Sequence, residues 1–291
     1  MKYQFIREHA GKYPLGLMFK AFDLNPSGYY DWLARLPSER DKLDETLKEQ
    51  IRALHKRVRG RYGYRPVYGH LQDQGLKCGR DKTLRLMREL GLEGVQTKGF
   101  KAQCTDSSHD FGYSPNLLAD MCKPTGCDQV WVADTTYLET KSGWCYLATV
   151  MDLYSRRILG WSVSSRNNTS LVCRALETAV LTRGSTYACG KYTKLLEKYR
   201  MSPSMSRKGN CYDNAAMESF FGRYKVSSVS GRQFANEEEA RSNAFEYIEM
   251  FYNRFMKHSS LGYKSPVQFE ALALENQSVS KQLQPACITN N

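Results

Sequence analysis

The sequence predicts an α+β protein in which a basic helical region precedes a domain that contains a sheet. Three observations predict this class: capped helical patterns in the first hundred residues, three runs rich in β-branched and aromatic residues between residues 128 and 165, and amphipathic helical patterns after them. The 291 residues, 41% of them hydrophobic, are enough for two or three modules with a packed core.

Positive charge is concentrated in the first third of the chain. The net charge is +12, and residues 1–101 carry 21 Lys and Arg against 12 Asp and Glu, a net +9. This excess favours an anionic polymer such as nucleic acid as partner, with the N-terminal third as the docking surface.

Targeting segments and metal-binding cysteines are not indicated. Arg7, Glu8 and Lys12 interrupt the first apolar stretch, which excludes a secretory signal, and no later run reaches the roughly 18 apolar residues of a membrane helix. Nine scattered cysteines are typical of reduced thiols, so we expect a cytoplasmic protein. Cys122 and Cys127 lack a nearby His or Cys that would complete a zinc site.

The first helical patterns occupy residues 14–58. Asn25 before Pro26 predicts a capped helix at SGYYDWLARL, and with LGLMFKAFDL ahead of it residues 14–36 form either a helix-turn-helix or a small packing hairpin. Residues 38–58 predict an amphipathic connecting helix; its apolar positions are Leu43, Leu47, Ile51 and Leu54.

A second pair of helices, bounded by Gly and Pro, is predicted between residues 59 and 92. We expect Leu84, Met87 and Leu90 to form the inner face of its second helix. The basic residues Arg80, Lys82, Arg85 and Arg88 then point outward, either into a DNA major groove or as a solvated basic face. We therefore predict a helical DNA-binding region over residues 1–95, followed by a polar linker at 96–127.

A domain over residues 128–274 follows. DQVWVADTTYLE, GWCYLATVMDLY and RRILGWSVSS predict an antiparallel meander, and TSLVCRALETAVL and GKYTKLLEKY predict helices. A longer helix is predicted at EEEARSNAFEYIEMFYNRF; its apolar stripe is Ala244, Ile248, Phe251, Tyr252 and Phe255. Residues 275–291 are predicted to be a polar tail.

Two carboxylates stand in apolar surroundings. Asp134 lies inside VWVADTTYLE, where burial is costly without a cation or hydrogen bonds, and Glu218 lies in AAMESFFGRYK, where its neighbours suggest that it faces packed residues. Each acid alone is more often a surface or salt-bridged group.

Longer phrases carry a resemblance over nearly the whole chain. RYGYRPVYGHL, LRLMRELGL, WVADTTYLET, MDLYSRRILGW, SMSRKGNCYDNAAMESFFG and YNRFMKHSSLGYKSP occur in order. They resemble the larger, catalytic subunit of transposases of the third insertion-sequence family, relatives of retroviral integrases. The resemblance implies DNA transposition, integration and recombination by a ribonuclease H-like integrase core with a mixed sheet, behind a helix-turn-helix DNA-binding region.

In this family an Asp on the first strand, an Asp near the end of the fourth strand and a Glu on a later helix hold two Mg²⁺ ions. Such a pair of ions activates the attacking oxygen and stabilises the leaving oxygen in phosphoryl transfer. Asp134 and Glu218 match the first and third positions, and Lys225, seven residues after Glu218, matches a DNA phosphate contact. Arg207 and Lys208 are phosphate ligands or part of a solvated loop.

The implied partners are double-stranded DNA of the element ends and target, further copies of the chain on that DNA, and a separately encoded upstream protein. The implied location is the bacterial nucleoid. His258 matches a signature position but, as a lone His, is a packing or phosphate-contacting residue. Phe255 and Met256 stand where the family usually has basic residues.

The second catalytic position is degenerate. Thr182 stands directly before Arg183-Gly184-Ser185, where the family has Asp, and 35 residues separate it from Glu218 as the family leads one to expect. Only 47 residues separate it from Asp134, about a dozen fewer than in the family and roughly one strand with its connection. We therefore expect an internal deletion that removed the fourth strand and its carboxylate.

Three functional hypotheses follow. The chain is an impaired or inactive DDE-type polynucleotidyl transferase, a catalytically dead DNA-binding remnant that regulates the parent transposase, or a repressor that uses only residues 1–101. Rescue by Asp152 or Asp213 is disfavoured, because Asp213 is placed to cap the Glu218 helix and Asp152 only follows the second strand run.

Overall fold

The computed structural model describes residues 2–36, 38–95, 123–183, 201–202 and 215–282, and it divides into two compact units, residues 1–53 and 54–291. Most of the predicted linker, the predicted helix GKYTKLLEKY and the end of the predicted tail lie outside the described residues. Within those ranges, the longest helices are too short or too polar to cross a bilayer.

Three short helices surround an aromatic core in the first unit: α1 (Lys2–His9), α2 (Leu15–Phe22) and α3 (Pro26–Ala34). The predicted cap is confirmed, because the Asn25 side chain accepts the N–H of Ser27 at 2.9 Å and Pro26 opens α3. The buried residues of this core are Ile6, Met18, Phe19 and Tyr29.

The connecting helix α4 spans Glu39–Arg57 and begins where Ser38 and Asp41 cap one another. Leu47, Ile51 and Leu54 are buried as predicted. Leu43 is 42% exposed, so its assignment to the apolar face was wrong: the buried face begins one turn later, at Leu47.

The predicted pair of helices is confirmed as α5 (Tyr64–Asp73) and α6 (Arg80–Glu89). The inner face of α6 differs from the prediction, because Thr83, Leu86 and Met87 are buried whereas Leu84 and Leu90 are half-buried. Thr83 belongs to this face because its hydroxyl donates to the carbonyl oxygen of Gly79 at 3.0 Å, so the polar group is satisfied inside the packed surface.

The meander forms a sheet in the order β1 (Trp131–Thr140), β2 (Gly143–Asp152), β3 (Ile158–Ser164), with both pairs antiparallel. In this register Asp134 lies opposite Thr149, and Trp131 lies opposite Asp152. The described part of the sheet shows parallel pairing only as a single bridge from Thr140 to Phe234. An antiparallel sheet combined with helices agrees with the α+β class that the sequence predicts.

Helix α7 (Thr169–Thr182) packs on β3 and covers one face of the sheet. Its approach is close at Gly160, where a Cβ atom would lie 2.1 Å from the carbonyl oxygen of Ala175. The helix starts at the Asn168 cap, just after β3 ends, and it returns the chain toward the end of the sheet where β1 and β3 begin.

The remaining described helices follow residue 214. They are α8 (Ala215–Tyr224), continued by a π-helical turn at Lys225–Val229, then α9 (Glu237–Phe245), continued as a π-helix at Glu246–Tyr252, a 3₁₀ turn at Ser259–Leu261, and α10 (Pro266–Gln282). The predicted long helix after Asn236 therefore exists, but its second half is π-helical. Its stripe is buried at Ala244, Ile248, Phe251 and Tyr252 and half-buried at Phe255.

Candidate active site and DNA-binding surfaces

Asp134 lies in the middle of β1 and is half-buried. Its Oδ1 accepts the N–H of Thr135 at 2.7 Å, so part of the cost of placing a carboxylate in this apolar strand is offset by a hydrogen bond. The opposite residue, Thr149, is buried, and its hydroxyl makes no hydrogen bond with the described residues. The Asp134 carboxylate therefore sits in a partly desolvated position.

Glu218 lies in the first turn of α8 and is exposed. The expectation that it faces packed residues was wrong: Met217, Phe220 and Phe221 form the buried face of α8, and Glu218 projects from its side. Because α8 packs against β1, the two elements that carry the candidate carboxylates are in contact.

Lys225 follows α8 directly, and its Nζ lies 4.1 Å from the centroid of the Tyr137 ring. Tyr137 is on β1, three residues after Asp134, so this cation–π contact brings the end of the Glu218 helix onto the same strand. Burial lowers the pKa of Lys225.

Thr182, the degenerate position, is the last residue of α7. It is exposed, and its hydroxyl donates to the carbonyl oxygen of Thr178 at 2.9 Å, an ordinary helix-end contact. In the family this position lies near the end of a strand, but here it lies in a helix. The described chain is helical from Thr169 up to Thr182 itself.

The contacts of Arg183 show where the chain lies directly after Thr182. Its guanidinium lies 2.5 Å from Glu270 Oε1 on α10 and 2.7 Å from Asp128 Oδ1, just before β1. Arg157, at the start of β3, binds the other Glu270 oxygen at 2.6 Å, and Ser155 donates to Glu270 at 2.9 Å. These contacts fix the C-terminal end of α7 at the end of the sheet where β1 and β3 begin.

Asp134 lies further along the sheet than this network. It comes three residues after Trp131 on β1, about 10 Å along the strand at 3.3 Å per residue. A strand running beside β1 from Arg183 would be needed to carry the chain to the level of Asp134. Thr182, at the end of α7, therefore lies near the level where β1 begins and not at the level of Asp134.

Cys127, Asp152 and Glu270 form a close group whose potential ligand atoms lie within 4.8 Å of one another. Their oxygens already have protein partners, since Asp152 accepts the N–H groups of Asp128 and Ser155 at 2.7 Å each and Glu270 binds two arginines. Burial, together with the charge of Glu270, raises the pKa of the Cys127 thiol to about 11, which disfavours the thiolate that a metal requires. The group stabilises the fold and does not suit a cation.

The residues at the candidate active site suit a two-metal centre only in part. Asp134 and Glu218 supply hard carboxylate oxygens of the kind that Mg²⁺ prefers. Thr182 supplies no ionised oxygen and is held at another level of the sheet. Asp152, considered as a substitute, is fully buried and committed to two backbone N–H groups, and Asp213 lies outside the described residues.

Two of the predicted DNA-contacting residues of α6 lie opposite its buried face. Arg85 and Arg88 are exposed and lie opposite the buried Thr83, Leu86 and Met87. Lys82 is half-buried, and Arg80, although exposed, lies on the same side as Met87, seven residues later. Arg85 also pairs with Glu89 at 2.6 Å along the helix. Arg207 and Lys208 lie outside the described residues.

Sequence reasoning missed a set of contacts that joins α5 to the YNRFMKHSSLGYKSP segment. Lys257 is buried and binds Asp73, which also accepts from Lys264 at 3.1 Å, and the Tyr62 hydroxyl donates to the carbonyl oxygen of Phe255 at 2.5 Å. Phe255 and Met256 serve packing: the Arg57 guanidinium stacks 4.3 Å from the Phe255 ring, and Met256 is buried. The sequence signals for these contacts are weak: Asp73 stands just before a turn, and Lys257 follows the apolar pair Phe255 and Met256.

Comparison with protein families matches three stretches of the chain. Residues 124–211 match an integrase core domain, residues 199–266 match a second integrase core domain family, and residues 42–100 match an HTH-like domain. The HTH-like match covers most of α4 and all of α5 and α6.

Individual relatives match over most of their length. "Insertion element IS600 uncharacterized 31 kDa protein" of Shigella sonnei is 42% identical over 264 residues, which cover 87% of this chain and 97% of the relative. "Transposase InsF for insertion sequence IS3A" of Escherichia coli (strain K12) is 35% identical over 284 residues, which cover 93% of this chain and 98% of the relative.

Proposed function

We propose that this chain, which belongs to the IS3 family of insertion-sequence transposases, is a DNA transposition protein whose strand cleavage and transfer chemistry is impaired. In this proposal Asp134 and Glu218 are the remaining catalytic carboxylates and ligands for Mg²⁺, residues 1–95 bind DNA, residues 96–127 are a linker and residues 128–274 form the catalytic core. The position of Thr182 carries the proposal.

The impairment has a physical reason. Two divalent ions bring a charge of about +4, and the third carboxylate that would hold them together is replaced by a hydroxyl that cannot ionise. Because the members of a catalytic unit act together, the loss of one ligand removes most of the rate. The Arg183 contacts with Asp128 and Glu270 further support a missing strand, since they keep position 182 away from the level of Asp134.

The length of the match to a relative supports the proposed deletion. The alignment with the Shigella sonnei relative runs over 264 positions, whereas 87% of 291 residues is about 253, so about 11 positions in total have no counterpart in this chain. A gap of that total size would accommodate the roughly one strand that the interval between Asp134 and Thr182 lacks relative to the family.

The proposed ligands are the ends of the insertion sequence and target DNA, bound in the nucleoid by several copies of the chain. A separately encoded upstream protein would assist in end recognition. Helix α6 supports the DNA-binding part, because Arg80, Arg85 and Arg88 are exposed, Lys82 is half-buried, and Arg85 and Arg88 lie opposite the packed face.

The second candidate function is a DNA-binding regulator without chemistry. The same observation on Thr182 favours it, since a protein that binds element ends but does not cut them competes with an intact transposase of the same family. Both candidates require DNA binding, and they differ in whether any strand transfer remains.

Incubating the purified protein with a duplex of the element's own ends, in Mg²⁺ and in EDTA, separates the candidates. Strand-transfer products that need Mg²⁺ and disappear in Asp134→Asn identify a residual enzyme. Retarded duplex without products identifies the regulator, and a protein that fails to bind the duplex contradicts both.

Paired variants on α6 test the recognition surface. Arg85→Ala and Arg88→Ala should each weaken duplex binding and reduce its salt dependence, by about one unit in the slope of log K against log salt for each phosphate that the variant no longer binds. Arg174→Ala, an exposed arginine on α7, is the control. Equally weakened binding in the variants and the control would contradict an α6 interface.

A further inference from the structure

A cavity of about 220 Å³ lies between α8, the turn that joins β2 to β3, and the 3₁₀ turn at Ser259–Leu261. Its polar lining comes from Arg156, Ser219, Arg223, His258, Ser259 and Ser260. Among the described residues that line it, none is acidic, so the cavity collects positive charge and hydroxyl donors.

The two arginines of the cavity are half-buried and have no carboxylate partner among the described residues. Arg156 is held by the β-turn, where its backbone adopts φ 62° and its N–H donates to the carbonyl oxygen of Asp152 at 2.9 Å. Arg223 extends from the last turn of α8. Two guanidinium groups that line one cavity, with no acid among its described lining residues, favour an anionic ligand.

His258 contributes a third unsatisfied group. Its Nε2 is buried and makes no hydrogen bond within the described chain, while its ring packs edge-on against Tyr252 with centroids 5.1 Å apart. Burial first, and then the charges of Arg223 and Arg156, lower the pKa of His258 to about 3, so the imidazole is neutral at physiological pH. A neutral imidazole carries one N–H, which can donate to a ligand oxygen.

The cavity lies on a different side of α8 from the candidate catalytic residues. Lys225 follows Glu218 by seven residues, close to two helical turns, so these two share one side. Ser219 and Arg223, four residues apart, share another side, which is rotated by about 100 to 140° from Glu218 at 100° per residue. A ligand in the cavity is therefore separate from a phosphate held between Asp134 and Glu218.

We propose that this cavity binds a phosphate group, through Arg156, Arg223 and the hydroxyl and imidazole donors around them. Tetrahedral phosphate oxygens match the fork of a guanidinium and several short donors, as the cavity offers. This inference rests on the proposed function in one respect: the source of the phosphate is the backbone of DNA that lies along α8 beyond the catalytic side. A free phosphate compound is the other source of the same chemistry.

The test uses the full chain, the double variant R156Q/R223Q and the charge-matched control R166Q/R174Q, which removes two exposed arginines outside the cavity. The His258 ring resonances are followed by NMR during titration with inorganic phosphate and, separately, with a duplex oligonucleotide. Duplex affinity is also measured over a range of salt concentrations. Circular dichroism and urea midpoints verify that each variant folds.

We expect duplex to shift the His258 resonance in the wild type and the control but not in R156Q/R223Q. The slope of log K against log salt is negative, and it should become less steep by about 0.9 in R156Q/R223Q, which corresponds to the loss of one phosphate contact. The control should keep the slope of the wild type. If only inorganic phosphate shifts the resonance, the cavity binds a small phosphate compound, and unaltered duplex affinity in the double variant supports that source.

The failure of the inference differs from that of the proposed function. A wild-type chain that binds duplex while neither ligand moves His258 overturns the phosphate cavity and leaves DNA binding intact. A wild-type chain that does not bind duplex, yet shows the phosphate shift, contradicts the proposed function and supports the cavity. If R156Q/R223Q fails to fold, R156K/R223K must retain the shift, and its loss there overturns the inference.

Discussion

Arg183 binds Glu270 across 2.5 Å, so the residue that follows position 182 is attached to α10 and cannot approach Asp134 without breaking this pair. We therefore expect Thr182→Asp alone to leave strand transfer at the level of the unaltered chain, because the new carboxylate would lie at the wrong end of β1. Gel separation of products from an element-end duplex in Mg²⁺ measures this.

The positive control for that experiment is a chain in which Thr182, the last residue before Arg183, is replaced by the longer corresponding stretch of a full-length relative, including the Asp that ends it. It should gain strand transfer that Asp134→Asn abolishes. Activity in the single Thr182→Asp variant would refute the missing-strand explanation.

Gly160 is required by the close contact of β3 with α7. A Cβ atom there would meet the backbone of Ala175 and Ala179, so Gly160→Ala should lower the free energy of unfolding by about 1 to 3 kcal/mol, or more if the helix cannot shift. Urea denaturation measures the change. Gly222→Ala on α8 is the matched control: nothing lies within 4 Å of its Cβ, and a helical Gly to Ala change should stabilise by up to about 1 kcal/mol. Similar effects at both sites would contradict the packing argument.

Glu270 should make the core sensitive to acid. Burial alone would raise its pKa, but hydrogen bonds and charge from Arg183 and Arg157 outweigh burial, and the pKa of Glu270 lies below its ordinary value. Because the folded chain holds the carboxylate ionised at pH values where the unfolded chain protonates it, its stabilisation is present above about pH 4.3 and is lost as the pH falls through the lower folded pKa.

Glu270→Gln tests this dependence. The variant should be less stable than the wild type near neutral pH, and the difference should shrink below about pH 4.3. Urea midpoints between pH 3 and pH 7 measure it. A difference that stays constant across this range would show that the ion pairs do not contribute.

During acidification, protonation of His258 in the unfolded chain should begin to destabilise the folded protein at a higher pH than protonation of Glu270 does. Its folded pKa of about 3 lies below the ordinary value of 6.5, so only the unfolded chain takes up this proton between those values. Acidification through this window should cost up to about 1.4 kcal/mol per pH unit from this residue. His258→Phe should flatten the decline between pH 6.5 and pH 4; an unchanged slope would mean that the ring is protonated in the folded protein.

Lys257 should hold α5 on the core. Lys257→Met leaves the solvent-accessible Asp73 with Lys264 alone, and the loss of a hydrogen bond from a charged group should cost about 1.5 to 3 kcal/mol. We expect faster amide hydrogen exchange across Tyr64–Asp73. Lys264→Met removes the more exposed partner of the same carboxylate and should have a much smaller effect; comparable exchange in both variants would contradict a special role for Lys257.

Periodicity and capping patterns predicted the elements whose structure depends on local sequence. Asn25 before Pro26 opens a helix, and the β-branched and aromatic residues in the runs around Asp134 and Val150 predict the antiparallel meander. Which side of each helix is buried was less predictable, because burial depends on neighbours that are distant in the chain. Leu43 and Leu84 have the correct helical spacing, but too little of the protein packs against them. Thr83 is buried because its hydroxyl donates to a backbone carbonyl oxygen.

The candidate site could be predicted only in part. Asp134 and Glu218 were recognisable from the phrases around them, whereas the cavity around His258 brings together Arg156, Arg223 and the Ser259 turn from three separate segments. Likewise, nothing near Arg183 in the sequence indicates that its partners are Asp128 and Glu270. Such long-range pairings depend on the topology of the sheet.

The arrangement around Glu270 has a genetic consequence. A stop codon before codon 270 would remove the acid that Arg157 and Arg183 share while leaving both cations at the base of the sheet. Such a product would lose the ion pairs that attach α10 to the sheet, with two arginines left near the end of the sheet where β1 and β3 begin. A reading frame that remains open into α10 is therefore required for these contacts, whatever the activity of the protein.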